Sequence, residues 1–160
     1  MSKEKLEAYL REHKVAFEVQ HHPVAYTAQA VAQSEHVPGK MVCKVVMAVA
    51  DGKMVMLALP APLRVDLAKA ASALGAKEVR LAHEDEFAAL FPDCEVGAMP
   101  PFGNLYNTPV YVDQELAADE RIVFQACTHT DTISMAYADY ARLASPKVVD
   151  IASRPATTRA

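Results

Sequence analysis

The spacing of apolar residues changes several times along the chain, and each change marks an element. Leu6, Tyr9, Leu10 and His13 recur at i, i+3, i+4 and i+7 behind Ser2, a good N-cap, which predicts a helix over 2–13. Residues 15–20 alternate and predict a strand, which His21-His22-Pro23 breaks. Thr27 is suited to cap a second helix through about Ser34, and Pro38-Gly39 ends that unit. Two β-branched apolar runs follow, 42–50 and 53–60, joined by Asp51-Gly52, the pair a tight type I′ hairpin turn prefers.

Further on, Asp66 can cap a helix through Leu74, with Gly75 where a helix stops, and Lys77–Leu81 reads as a short strand. Residues 83–91 predict another helix, acidic in its first turn, closed by Pro92. Residues 92–108 show no period and form the longest irregular stretch, a length that usually carries function or mobility. Strands are predicted at 109–113, 121–127 and 132–136, then a short helix over Ala138–Ala144. Hairpins interleaved with helices predict a mixed sheet rather than a regular βαβ winding. Without repeats or an internal boundary, residues 1–151 read as one domain and 152–160 as a polar, frayed tail.

At 160 residues and 52% hydrophobic, the chain can build one core without staples. Its net charge of -4 and scattered Lys and Arg give no basic stripe, which argues against a grip on long nucleic acid, DNA included. The widely spaced Cys43, Cys94 and Cys127 predict neither a disulfide framework nor a zinc ribbon and fit a reducing cytoplasm. The N-terminus lacks a signal-peptide pattern, and no apolar run approaches the roughly 20 residues of a membrane span.

Lys44 is the main anomaly, a cation within an apolar strand. Two readings stay open: an edge-strand lysine that blocks aggregation, or a cation facing a cleft and presented to a phosphate or carbonyl. The loop Gly97-Ala98-Met99-Pro100-Pro101-Phe102-Gly103 can bring backbone N–H groups close to a ligand, although taken alone it reads as a stiff surface loop. Cys127 and His129 suggest a thiol and a base, but that spacing on a strand favours a buried structural cysteine. His21 and His22 could seed a metal site with His36 or Asp131, yet no ligand spacing supports one, and no metal or cofactor is expected. Glu84-Asp85-Glu86 reads as a solvated helix start. No phosphate-binding glycine loop, dinucleotide fingerprint or nucleophile elbow occurs.

Several short motifs occur in one order: T-A-Q-x-V-A from Thr27, V-x-K-V from Val42, D-L-x-K-A-A from Asp66 and L-G-A-K from Leu74. G-x-x-x-P and F-G between Gly97 and Gly103, P-V-Y-V-D from Pro109 and A-D-Y-x-R-L from Ala138 complete them. Together they resemble the YbaK-type family, which includes the inserted editing domain of bacterial prolyl-tRNA synthetase and its free-standing relatives. The likeness runs from about residue 15 to about residue 151. It implies an α/β fold of mixed α+β character, with a mixed, partly barrel-like β-sheet flanked by helices. It also implies hydrolysis of the ester between an amino acid and the 3′-terminal adenosine of tRNA, with water activated largely by the substrate's own ribose hydroxyl and backbone groups.

On that resemblance Lys44 and Gly97 carry the catalytic expectation, and Tyr26, Met99, Pro100, Pro101, Phe102, Gly103 and His129 the substrate contacts. Met47 is a candidate pocket wall, with core packing as its alternative role. One departure stands out. Where many relatives carry a glycine-rich turn, this chain reads Gln125-Ala126-Cys127-Thr128-His129-Thr130-Asp131. The leading expectation is a trans-acting, metal-independent aminoacyl-tRNA deacylase acting on a small amino acid such as alanine, cysteine, serine or threonine. Its partners would be the 3′ end of aminoacyl-tRNA and a synthetase. The alternative is an inactive module of the same fold that binds a tRNA end or a synthetase.

Overall fold

The computed structural model describes residues 2–23, 28–35 and 38–153. The opening helix α1 spans Lys3–Glu12, with the Ser2 hydroxyl accepting from Lys5 N at 3.3 Å and Leu6 and Leu10 buried. Strand β1 (Phe17–His21) and helix α2 (Ala28–Glu35) follow. The expected cap Thr27 lies outside the described residues.

The hairpin forms as its residues dictate. Strands β2 (Cys43–Ala50) and β3 (Lys53–Pro60) pair antiparallel in full register from Cys43↔Pro60 to Ala50↔Lys53. Asp51 and Gly52 both have positive φ, 48° and 84°, as a type I′ turn requires. Strand β4 (Arg64–Val65) precedes helix α3 (Leu67–Leu74), which Asp66 caps and left-handed Gly75 ends. Strand β5 (Val79–Leu81) lies on the far side of β2 but covers only its Ala48–Ala50 end.

The predicted helix over 83–91 is shorter: α4 (Glu84–Phe87) tightens into a 3-10 turn at Ala88–Leu90. A second 3-10 turn, Gly103–Tyr106, interrupts the irregular stretch. Strand β6 (Val110–Asp113), helix α5 (Gln114–Ala117), strands β7 (Arg121–Gln125) and β8 (Asp131–Ala136) and helix α6 (Tyr137–Ala144) follow. Two strands absent from the sequence reading close the chain, β9 (Lys147–Val149) and β10 (Ala152–Ser153). Because β10 pairs with β4 and Ala152 is fully buried, order extends two residues into the segment read as a tail.

The main sheet runs β5-β2-β3-β6-β9, and β6 is parallel to both neighbours. A second sheet, β1-β8-β7, meets it at a parallel bridge between Val42 and Val123. The sheets form no closed barrel among the described residues. Cys43 and Met47 face the principal core with Phe102, Phe124 and Tyr140, while Ala48 and Val55 pack with Ala70 of α3 on the opposite face. Alternation along β2 thus serves two cores, which explains why the strand is apolar on both faces.

One carboxylate holds the frame. Asp113 is fully buried, and its oxygens accept from Glu115 N at 3.1 Å and Ile151 N at 3.0 Å. The Asp of P-V-Y-V-D is therefore a structural clamp between β6 and the segment leading to β10.

Candidate active site

Lys44 lies where β2 has left the bridge at Val42 but has not reached β5, so one edge of its strand has no ladder partner there. The side chain is half-buried, and Nζ donates to the carbonyl of Leu63. Burial pushes its pKa down from 10.5, and the charge of Arg64 pushes it further the same way. Among the described residues it has no carboxylate partner.

The Gly97 loop is built on a different contact. The 95–98 segment and Cys127 exchange backbone hydrogen bonds, Glu95 N to Cys127 O at 2.8 Å and Cys127 N to Ala98 O at 2.9 Å. Cys94 and Cys127 are joined as a disulfide, which corrects the expectation that the cysteines form none, while Cys127 is buried as expected. Their Cα atoms stand 4.2 Å apart, a proximity that a separation of 33 residues in sequence does not reveal. Cys127 adopts φ 72°, the left-handed region glycine enters freely. Cys127 thus takes, without being glycine, a backbone conformation that glycine favours. Cys43 remains free and buried, its thiol pushed up to about 12 by burial.

His129 fastens this loop. Its backbone N–H donates to Glu95 Oε1 at 2.8 Å, and its Nε2 donates to the carbonyl of Val96 at 2.9 Å. Its Nδ1 stands 3.3 Å from Gln125 Nε2, an amide donor, so the ring accepts there and donates to Val96. Gly97 follows at φ 88°, and its N–H donates to the thioether of Met99 at 3.3 Å.

Gly97, Met99 and His129 are therefore brought together, while the rest of the expected contacts are not all at a surface. Phe102 is fully buried and meets Phe124 and Tyr140 edge-on, with ring centroids 5.7 and 5.2 Å apart. Pro100 and Pro101 are buried, and the Tyr140 hydroxyl donates to Pro101 O at 2.7 Å. A Cβ on buried Gly103 would stand 2.5 Å from Thr108 O. As placed, Phe102 and Gly103 are core rather than pocket wall, because the 3-10 turn folds them inward; Met47 is likewise in the core. Tyr26 lies outside the described residues.

No hydrogen bond joins Lys44 to the Gly97 loop. Lys44 shares its strand face with Val46 and Ala48, away from the core that holds Met99. Sequence reading missed Glu95, Val96 and Gln125, whose role in holding His129 depends on tertiary contact and has no local signal.

Asp131 is held by protein partners, and His36 lies outside the described residues. It accepts from Thr128 Oγ1 at 2.7 Å and pairs with His21 Nδ1 at 3.1 Å and Lys3 Nζ at 3.5 Å. Burial raises its pKa, but these hydrogen bonds and the Lys3 charge outweigh it and hold the carboxyl below its ordinary value. Among the described residues no group of three or more His, Cys, Asp or Glu is placed to hold a metal ion. No helix there is long and apolar enough to cross a membrane.

The mixed α/β fold is one seen in known structures. The crystal structure of a candidate trans-editing enzyme for prolyl tRNA synthetase superposes with TM-score 0.81 at 20% identity, covering 95% of this chain and 97% of that one. The hypothetical protein APE2540 does so with TM-score 0.83 at 17% identity, over 93% and 99%. A scaffold used for epitope backbone grafting gives 0.82 at 20%, over 96% and 97%. No curated protein matches the chain. The model of the aminoacyl-tRNA editing domain matches residues 22–143, and the chain belongs to that family.

Proposed function

We propose that the protein is a trans-acting aminoacyl-tRNA deacylase, working on the 3′ end of tRNA mischarged with a small amino acid such as alanine, cysteine, serine or threonine. Water would add to the ester carbonyl, and the tetrahedral oxyanion would collapse with release of the ribose oxygen, which takes up a proton. Neither a metal nor a cofactor is invoked, since positioning and oxyanion stabilisation suffice for so labile an ester. The observation that carries this reading is Lys44, a half-buried cation in an apolar strand with no carboxylate partner among the described residues, in a chain of the editing family.

Lys44 would position the terminal nucleotide or polarise the ester. The Gly97 N–H rests on a thioether, a weak acceptor that a substrate oxygen can displace. With a net charge of -4, much of the grip on tRNA would come from a partner such as a synthetase. The test is a panel of mischarged and correctly charged tRNAs with ester loss followed over time. Selective loss from one mischarged species supports the reading, and stability of every ester overturns it.

A second reading, a module that binds without turnover, is favoured by one observation. The Gly97 N–H and both ring nitrogens of His129 are already engaged within the protein. Saturable binding of a tRNA end with no ester loss would select it.

A further inference from the structure

We propose that Arg64 joins Lys44 in an oxyanion site that takes a phosphodiester near the 3′ end of the RNA, making Arg64 a binding residue outside the family motifs identified above. The identity of the anion as a nucleic-acid phosphate rests on the proposed function; the anion site itself does not.

The juxtaposition is fixed by backbone. Lys44 Nζ is held on the carbonyl of Leu63, the residue immediately before Arg64. Arg64 is held in turn by its pairing with Ser153 in β10 and by the Asp66 N to Ile151 O bond of 2.8 Å just beyond it. Elsewhere the basic side chains Lys3, Arg11, Lys40, Lys69, Arg80 and Arg142 each face a carboxylate. Exposed lysines without such a partner have water around them. Lys44 is different, because it is half-buried beside a second cation. Among the described residues neither Lys44 nor Arg64 has an ion-pair partner.

Burial and the neighbouring positive charge both disfavour the Lys44 ammonium. An anion between the two heads would offset both costs. A guanidinium fork matches two non-bridging phosphate oxygens, while the ammonium acts as a point charge. A single strong contact of this kind is compatible with a chain of net charge -4, where an extended basic groove is not.

The experiment measures binding, which does not require turnover. A labelled single-stranded RNA with a 3′-terminal adenosine is titrated by anisotropy at several salt concentrations, with melting curves to check the fold. Arg64→Gln should weaken binding about tenfold and reduce the salt slope by roughly 0.7, one single-strand phosphate. Arg64→Lys, which keeps the charge without the fork, should keep the salt slope and recover only part of the affinity, and Lys147→Gln, an exposed control, should change nothing. In deacylation, Arg64→Gln should raise KM with kcat nearly kept, the signature of uniform binding.

RNA binding with unchanged affinity and slope in Arg64→Gln overturns the inference while leaving the function intact. If the wild type neither binds RNA nor cleaves esters, yet inorganic phosphate raises its Tm and not that of Arg64→Gln, the proposed function fails and the anion site stands. If phosphate also has no Arg64-dependent effect, both fall.

Discussion

The imidazole of His129 packs against Gly97, its Cε1 3.5 Å from where a Cβ on that glycine would stand. The same ring donates to the carbonyl of Val96, so one side chain both supports the loop and sets the space at its tip.

Replacing Gly97 with alanine should therefore act twice. The new methyl makes ordinary contact with the ring, so space is not the main obstacle; φ 88° is. Stability should fall by about 1–2 kcal/mol from the backbone alone, and turnover should fall with it or shift toward smaller amino acids. Thermal melts and rates measured on one preparation separate the two effects. Unchanged rate and unchanged preference would remove the loop from the active site. At Gly103 the obstacle is space: a Cβ would stand 2.6 Å from Val110 Cγ2 as well as against Thr108 O, and alanine there should cost about 3 kcal/mol or more. A normal melt for Gly103→Ala would show that the 3-10 turn can yield.

How much of this was legible in the sequence follows from the range of each interaction. The Asp51-Gly52 hairpin, the Asp66 cap and the Gly75 stop are set by neighbouring residues and appear where the pattern puts them. Strands β4, β9 and β10 are two or three residues long and exist because distant partners complete them, so no period could announce them. Lys44 stood out because a charge interrupts an apolar run. Arg64 could not, because it sits in a two-residue strand that only its distant partner Ser153 completes. That Phe102 turns inward is hidden for a similar reason, since a loop motif carries no sign of which residues face the core.

Lys44→Met should fold and lose roughly 100-fold in deacylation, the scale of one oriented electrostatic group. The pH dependence gives an independent check. The folded pKa lies below 10.5, so the protonated lysine costs stability at every pH below the folded value. That cost disappears as pH rises toward 10.5, where the unfolded chain also loses its proton. The variant lacks the cost, so denaturant titrations should show its stability relative to wild type declining as pH rises through that window. A constant difference would mean that the ammonium is fully solvated.

The cysteines give a counting experiment. Cys43 is buried with its thiol pushed up to about 12, and Cys94 and Cys127 are joined, so iodoacetamide should leave the native protein unmodified. Denatured without reductant, the chain should take one adduct at Cys43; denatured after reduction, it should take adducts at Cys43, Cys94 and Cys127. Mass spectrometry reads the result directly, and adducts on Cys94 and Cys127 without reductant would show that the bond is absent. Because the proposed chemistry uses no thiol, Cys127→Ala and a strong chelator should each leave turnover within about threefold, a change of about 0.7 kcal/mol in the barrier. Abolition by the chelator would move the protein to a metal hydrolase, and abolition by Cys127→Ala would show that the bond to Cys94 holds the Gly97 loop in its working shape.

Met99 separates two roles for the Gly97 N–H. In the substrate-free protein that N–H points at the Met99 thioether at 3.3 Å, so it cannot at the same time stabilise an oxyanion. Leucine at 99 keeps nearly the same volume and should cost less than about 1.5 kcal/mol, but it offers no acceptor. The freed N–H then meets water, and its hydrogen exchange, followed by NMR at the Gly97 amide, should speed up. If the thioether only keeps the donor occupied until substrate arrives, Met99→Leu should retain turnover within about threefold, because a substrate carbonyl replaces either partner readily. If the thioether instead holds the loop in its working shape, the variant should melt normally, exchange faster and lose activity by an order of magnitude or more. Met99→Gln sharpens the choice, since a side-chain carbonyl of similar reach binds the N–H more strongly than sulfur does. A donor role for Gly97 requires Gln to inhibit where Leu does not. Equal activity in Gln and Leu variants that both melt like wild type would remove the Gly97 N–H from the reaction.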